Sequence, residues 1–163
     1  MRYLFVGKIV NTHGIKGELR LLSKFEFKEK AFAPGMKIYI GREKTEEVIR
    51  SYRHHKSFEM ITLEGYDNIN QVLKYKGDQC YINGEDLVLA EDEYLDADLI
   101  HVMCYVGSRE VGKVKRIEQI AMNRKLLIVD VHEQEVMIPY VKEFVHFDKK
   151  KKVIHLTVPE GLI

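Results

Sequence analysis

Short apolar runs, each bounded by glycine, proline or charged residues, make up most of this chain. Within the runs, apolar and polar residues alternate over roughly four to eight positions, which is typical of β-strands. Pro34-Gly35 precedes one such run and Gly41 ends it, and the charged run 148–152 separates two others. Only residues 67–77 show a helical pattern. We therefore predict a mainly β protein with few short helices, built as two small β-barrels, because closing a sheet removes its exposed edges.

An acidic stretch divides the chain into two parts of opposite charge. Residues 84–93 hold five Asp or Glu and no Lys or Arg. Residues 1–84 carry 15 Lys and Arg against 10 Asp and Glu, whereas residues 85–163 carry 11 against 15. We predict a first domain at 1–84, an acidic linker at 85–92 and a second domain at 93–163. The basic part suits a phosphate backbone and the acidic part a basic protein, although ordinary surface chemistry explains an excess of this size equally well.

Signals for membranes, disulfides and catalysis are missing from the sequence. No apolar run approaches the roughly 18 residues of a membrane-spanning helix, so we expect a cytoplasmic protein without membrane contact. Cys80 and Cys104 lie in apolar, strand-like surroundings without CxxC partners, which favours two buried thiols over a disulfide or a zinc site. No nucleophile–base arrangement and no metalloprotease or nucleotide-binding motif is present. We therefore predict no catalytic site, no metal site and no cofactor.

The segment 6–19 (VGKIVNTHGIKGEL) joins two strand-like runs through a short polar loop. Gly14 and Gly17 allow positive φ angles or a close approach to a neighbouring backbone. Backbone N–H groups and Lys16 could receive a phosphate there, but no helix pattern follows, which argues against a nucleotide-phosphate loop. Two interpretations stay open: a loop that contacts a partner, and a turn that needs glycine for steric reasons alone.

Basic residues with aromatic neighbours recur in the first part of the chain. Phosphates attract such cations and unpaired bases stack on such rings, so this pattern fits contact with RNA. The alternative is that the rings fill the barrel core and the basic side chains are only solvated. The residues that we predict to contact RNA, or a larger particle that contains RNA, are His13, Lys16, Arg20, Lys24 and Arg53. Arg53 belongs to a basic stretch that we place at a hairpin tip, and the two histidines beyond it would face opposite sides of a strand and form a poor metal chelate.

An aromatic residue stands among carboxylates where the second domain begins. Tyr94 is surrounded in sequence by acidic residues at 91–93, Asp96 and Asp98. Such a ring could anchor an interface with a protein rich in Arg and Lys. The alternative is a tyrosine that packs its ring on the barrel and exposes its hydroxyl to water.

Five sequence words, in this order, resemble the RimM family of bacterial ribosome maturation factors. They are VGKIVNTHGIKGEL at 6–19, EYLDADLI at 93–100, VGKVKRI at 111–117, MIPYVKEFV at 137–145 and VPEGLI at 158–163. The resemblance covers nearly the whole chain. It implies a six-stranded first barrel, related to a domain of translation factors, and a PRC-barrel as the second domain.

The chain departs from the family pattern where the PRC-barrel starts. Family members often carry two adjacent aromatic residues there, implicated in ribosome binding, whereas this chain has Tyr94 and Leu95. The family's Leu-Ile-Gly is replaced by Leu-Ile-His at 99–101. The resemblance therefore implies a ribosomal-protein-binding site at Tyr94, Leu95 and Asp98, with the second aromatic missing.

The resemblance implies a non-catalytic maturation factor. Such a protein would bind the head of the immature small ribosomal subunit through a ribosomal protein and nearby rRNA, and would aid assembly and rRNA processing. We expect a monomer. Two alternatives stay open: a general RNA-binding module, which would bind unrelated RNA with a steep salt dependence, and a PRC-type scaffold, which would bind proteins only.

Overall fold

The computed structural model describes residues 1–159 and 161–162, so two positions of the word at 158–163 lie outside the described residues. The chain folds into two compact units, Met1–Val88 and Leu89–Ile163. Each unit has its own β-sheet, which confirms the mainly β fold in two domains. The division between the units falls within the stretch 85–92, for which the role of a linker stays a prediction.

The first unit is a closed six-stranded barrel in the order β1-β2-β5-β4-β3-β6, with antiparallel neighbours. Its strands are β1 (Tyr3–His13), β2 (Glu18–Leu22), β3 (Lys37–Ile40), β4 (Thr45–His55), β5 (Phe58–Leu63) and β6 (Gln79–Asn83). Its helices are α1 (Lys28–Ala31) and α2 (Ile69–Val72), with 3-10 turns at Leu73–Tyr75 and Gly84–Asp86. Inward side chains of every strand meet α1 and α2 residues in one core, because successive strand residues point to opposite sides.

The helix predicted within 67–77 is confirmed, and it is short. Asn68 is its N-cap: the side chain accepts a hydrogen bond from the Gln71 backbone N–H, and Gln71 accepts one from the Asn68 N–H in return. Gly77, with φ +90°, follows the 3-10 turn. The backbone N–H of Ile69 also donates to the carbonyl of Ile15 at 2.9 Å, which ties α2 to the loop between β1 and β2.

The second unit is a six-stranded sheet in the order β10-β9-β8-β7-β12-β11, in which only β7 and β12 are parallel among the described pairs. Its elements are a 3-10 turn (Asp96–Leu99), β7 (Met103–Val106), β8 (Arg109–Ala121), β9 (Arg124–Val131), β10 (Gln134–Pro139), β11 (Val145–Asp148) and β12 (Val153–Leu156). The edge strands β10 and β11 contribute Ile138 and Val145 to the same buried cluster. The sheet therefore curls around a single core.

Both cysteines are buried and unpaired, as predicted from their apolar surroundings. Burial raises the pKa of Cys104 to about 12 and also raises that of Cys80 above its ordinary value, so neither thiol is a ready nucleophile. Within the described residues, no helix is long and apolar enough to cross a membrane.

Candidate nucleic-acid and protein interfaces

The loop between β1 and β2 needs both of its glycines. Gly14 and Gly17 have φ angles of +73° and +87°. A Cβ on Gly17 would also lie 3.0 Å from the carbonyl oxygen of Asn68, next to α2. Backbone geometry therefore favours glycine at both positions, and the loop is fixed against α2 at Gly17. Lys16 is exposed in the fixed loop, and its contact with a partner stays a prediction.

Strand alternation brings basic side chains together on the outside of the barrel. His13, Arg20 and Arg53 lie on β1, β2 and β4, and β5 runs between β2 and β4. Arg20 and Arg53 are the cross-strand partners of Met60, one on each side. Met60 is 0% exposed although it is absent from the barrel core, because these outer side chains flank it. We call this surface the cationic face; its members are His13, Glu18, Arg20, Arg53, His55, Phe58 and Met60.

Arg20 is held at the centre of the cationic face. Its guanidinium carbon lies 4.9 Å from the centroid of the Phe58 ring, in a cation–π contact. Its Nη2 lies 2.8 Å from Nδ1 of His13. Because a guanidinium can only donate, Nδ1 of His13 accepts this bond, and the neutral ring carries its proton on Nε2. The side chain of Arg20 is therefore oriented by its neighbours before any partner binds.

Arg53 crosses β5 to reach Glu18. Its Nε and Nη2 donate to the two carboxylate oxygens of Glu18 at 2.9 and 2.7 Å. This bidentate pair raises the pKa of Arg53 and lowers that of Glu18. The pair uses one edge of the guanidinium, and no hydrogen bond to Nη1 is seen among the described residues. Arg53 thus keeps a donor for a further partner while Glu18 offsets part of its charge.

The prediction that places the basic stretch around Arg53 at a hairpin tip is wrong in part, because most of the stretch belongs to β4. Strand β4 continues to His55, and only two residues form the turn. As expected for a strand, the two histidines face opposite ways: His54 Nδ1 lies 2.9 Å from the buried Glu59, whereas the His55 ring lies 6.1 Å from that of His13. Desolvation, followed by the charges of Arg53 and other nearby cations, lowers the pKa of His55. Its ring is therefore mainly neutral at pH 7.

Three of the five predicted RNA-contact residues meet on the cationic face. These are His13, Arg20 and Arg53, whereas Lys16 lies in the adjoining loop and Lys24 is exposed beyond the far end of β2. Sequence reasoning missed Phe58, whose ring supports Arg20. The alternation of β5 carried the signal, because it places Phe58 on the same side as Met60.

The second domain begins with an acidic segment, Glu91–Asp98, that is folded onto its sheet. The Tyr94 ring packs edge-to-face on Phe147 at 5.0 Å. Asp96 pairs with Lys125 at 2.6 Å and accepts a hydrogen bond from the Tyr140 hydroxyl at 3.1 Å. Burial, together with Asp96, raises the pKa of Tyr140. Tyr94 thus packs its ring on the domain, and it remains half-buried.

Leu95 and Asp98 have different surroundings. Leu95 is 7% exposed, so its side chain is part of the packing and offers little surface to a partner. Asp98 is exposed, and its carboxylate accepts a hydrogen bond from the Leu95 backbone N–H at 3.0 Å. Contact of Tyr94, Leu95 and Asp98 with a ribosomal protein stays a prediction. Because Leu95 is buried, we expect it to support the site and not to contact the partner directly.

Lys149 also holds the acidic segment, which the sequence did not indicate. Its Nζ donates to the backbone carbonyls of Ala90 and Glu93 at 3.1 and 2.5 Å. The run 148–152 separates β11 from β12, as its place between two strand-like runs predicts, and Lys149 lies in this turn. The exposed acids of the segment, Glu91, Asp92 and Asp98, therefore stand beside Tyr94 on an anchored backbone.

These features define a two-domain β protein with a preorganised cationic face on its first domain and an anchored acidic segment on its second. Residues 4–87 match the model of the RimM N-terminal domain, and residues 96–162 match that of the RimM PRC barrel domain. The chain belongs to the RimM family of ribosome maturation factors.

Relatives in the same family match along nearly their whole length. The chain is 38% identical to the ribosome maturation factor RimM of Geobacillus kaustophilus over 99% of this chain and 97% of the relative. It is 38% identical to that of Staphylococcus haemolyticus over 97% of each. A solved structure from Pseudomonas aeruginosa, described as a 16S ribosomal RNA processing protein RimM, covers 97% of this chain and 98% of its own, with 17% identity and a TM-score of 0.49.

Proposed function

We propose that this chain is a cytoplasmic ribosome maturation factor that binds the head of the immature small subunit through a ribosomal protein and nearby rRNA. In this role it aids assembly and rRNA processing. The observation that carries the proposal is the cationic face, in a protein of the RimM family. Arg20 and Arg53 are both oriented there, beside the ring of Phe58.

The chemistry of the cationic face suits RNA. Each guanidinium presents N–H donors in a fixed plane, which matches phosphate oxygens. Neutral His13 adds an Nε2–H donor, and its position is set by Arg20. Because these groups are ordered before binding, little side-chain entropy is lost when RNA binds. The exposed Lys16 in the adjoining loop extends the positive charge.

The acidic segment suits a basic ribosomal protein. Tyr94 supplies a half-buried ring fixed by Phe147, and the exposed acids Asp92 and Asp98 flank it. Aromatic residues are enriched in interface cores and hot spots, and a polar rim surrounds such cores. In this proposal the buried Leu95 does not contact the partner directly.

The mechanism is differential binding. A factor that binds one arrangement of rRNA and protein more tightly shifts the population toward it by the difference in affinity and no further. Release from the mature subunit then requires a lower affinity for the mature head. Neither step needs a chemical reaction on this chain.

Co-sedimentation in density gradients tests this function. The purified protein is mixed with immature small subunits, mature small subunits, large subunits or joined ribosomes, at low and at moderate salt. We expect co-migration with small subunits only, and most strongly with immature ones. Absence from every ribosomal fraction at low salt would refute the proposal, and equal binding to all RNA-containing fractions would favour a general RNA-binding module.

A further inference from the structure

A second set of aromatic rings lies on the outside of the barrel. Tyr3 and Phe5 on β1 are 43% and 53% exposed, which is unusual for rings of this size. Tyr81 on β6 contacts both rings edge-to-face, with centroids 6.3 and 5.8 Å away. Tyr39 on β3, almost fully buried, supports Tyr3 at 5.3 Å. We call these four residues the aromatic platform.

Strand geometry sets the spacing of the exposed rings. Tyr3 and Phe5 are two residues apart on one strand, so they point to the same side about 7 Å from each other. Their contacts with Tyr81, at interplanar angles of 66°, fix the ring planes relative to the sheet. Two fixed, exposed rings at this separation can each receive one planar group.

Cations border the aromatic platform. Lys44, in the turn between β3 and β4, places its Nζ 4.3 Å from the centroid of Tyr81 and 5.6 Å from that of Tyr3. Lys8 is exposed further along β1, where it pairs with Gln79 of β6. The outward residues that β1 and β6 contribute around the rings include no carboxylate.

A polar hollow of about 420 Å³ adjoins the platform at Tyr81. Arg42 and Lys44 line it together with Asp78. The carboxylate of Glu46 interacts with Tyr39, the buried member of the platform. The hollow therefore holds two cations and one carboxylate, and a negatively charged backbone would lie beside Lys44 and Arg42.

We propose that the aromatic platform binds single-stranded RNA, with unpaired bases stacked on Tyr3 and Phe5 and phosphates held by Lys44 and Lys8. Exposed rings on a sheet bordered by cations are the combination that unpaired RNA requires, since every base has a face that stacks and every nucleotide has a phosphate. A double helix keeps its bases stacked on one another and cannot use the rings. The platform is distinct from the cationic face, and the proposal does not depend on the subunit binding described above.

Ring-deleting variants test the platform. The full chain, its Tyr3→Leu/Phe5→Leu variant and its Tyr3→Phe variant are titrated into fluorescently labelled oligouridine and into a duplex RNA of the same length. We expect the double variant to bind oligouridine at least about fivefold more weakly for each ring, because base stacking on a ring is worth that much or more. Duplex binding stays unchanged, and Tyr3→Phe retains the wild-type affinity because its ring remains.

Salt dependence separates the platform from the cationic face. Loss of the rings removes no charge, so the slope of log K against log salt stays that of the wild type. Arg20→Gln, on the cationic face, is expected to leave the slope for oligouridine unchanged, because the platform does not include Arg20. Lys44→Gln is expected to lower the slope for oligouridine by about 0.7 to 0.9.

Three results would overturn the proposal. One is a folded double variant, checked by circular dichroism and thermal melting, that binds oligouridine like the wild type. Another is a wild-type protein that binds no oligouridine at low salt. The third is a double variant whose only defect is weaker binding to a ribosomal protein, which would assign the platform to a protein partner. Failure to co-sediment with subunits would refute the proposed function. The oligouridine titrations would still test whether the aromatic platform binds single-stranded RNA.

Discussion

Glu18→Gln should strengthen binding to RNA, and the structure gives the size of the effect. Glu18 holds one edge of the Arg53 guanidinium at 2.7 and 2.9 Å. A phosphate on the other edge would lie about 6 Å from this carboxylate, and Coulomb's law in water gives about 0.7 kcal/mol of repulsion at that distance. Removing the negative charge should therefore raise the affinity about threefold. Because the Glu18 side chain is only 17% exposed, the local dielectric is lower than that of water and threefold is a lower bound.

Fluorescence anisotropy with a labelled rRNA fragment from the small-subunit head measures this change. Glu133→Gln is the matched control, since it removes the same charge from an exposed turn of the second domain. Arg53→Gln should have the opposite effect, with weaker binding and a salt slope lower by about 0.7 to 0.9. Loss of the surface pair should cost at most about 1 kcal/mol of stability, so both variants should stay folded.

The result that refutes this reasoning is a folded Glu18→Gln protein that binds the fragment no better than the wild type. In that case Arg53 stabilises the barrel through its pair with Glu18 and does not contact RNA. An equal gain from Glu133→Gln would also contradict a local effect, because it would show that only the net charge of the chain matters.

Three further changes test the second domain and the histidine on the cationic face. Tyr94→Ala should weaken binding to a basic ribosomal protein of the head about 30-fold, the size typical of a hot spot, in calorimetric titrations where Tyr94→Phe binds normally; equal affinities would refute the interface. Gly112→Ala places a Cβ 1.9 Å from the carbonyl oxygen of Asp130, so urea unfolding should show a loss of at least about 3 kcal/mol, and a stable variant would contradict the register of β8 and β9. Folding lowers the pKa of His55 from 6.5, so the unfolded chain binds a proton at His55 more readily than the folded chain does. The free energy of unfolding should therefore fall as the pH drops below 6.5. In urea titrations from about pH 7.5 to about pH 5.5, His55→Gln should show a smaller fall.

Local patterns were enough to predict the strands and the helix cap. The hairpin of β4 and β5 follows from alternation on both sides of a polar turn, and Asn68 is the residue type that caps a helix. The end of β4 was misplaced, because polar residues that continue a strand on the outside of a sheet look like a turn in sequence. His55 is such a residue.

The two surfaces show a similar division. The group formed by Tyr94 and the acidic residues around it is visible in the sequence, because these residues are neighbours along the chain. The anchoring of the acidic segment by Lys149 is not visible, because Lys149 lies 56 positions from Glu93, whose carbonyl it binds, and only the folded sheet brings them together. The same holds for Arg53 and Glu18, which come from strands on either side of β5.

By itself, the sequence determined a mainly β chain in two domains and membership of the RimM family through words spread over the whole chain. These properties depend on residue type and on short-range spacing, which a sequence carries directly. The tertiary structure alone decided which charges are neutralised and which rings are exposed. Arg53 is paired, Leu95 is buried, and Tyr3 and Phe5 lie open beside Lys44, because strand pairing and register fix neighbours that are far apart in the chain.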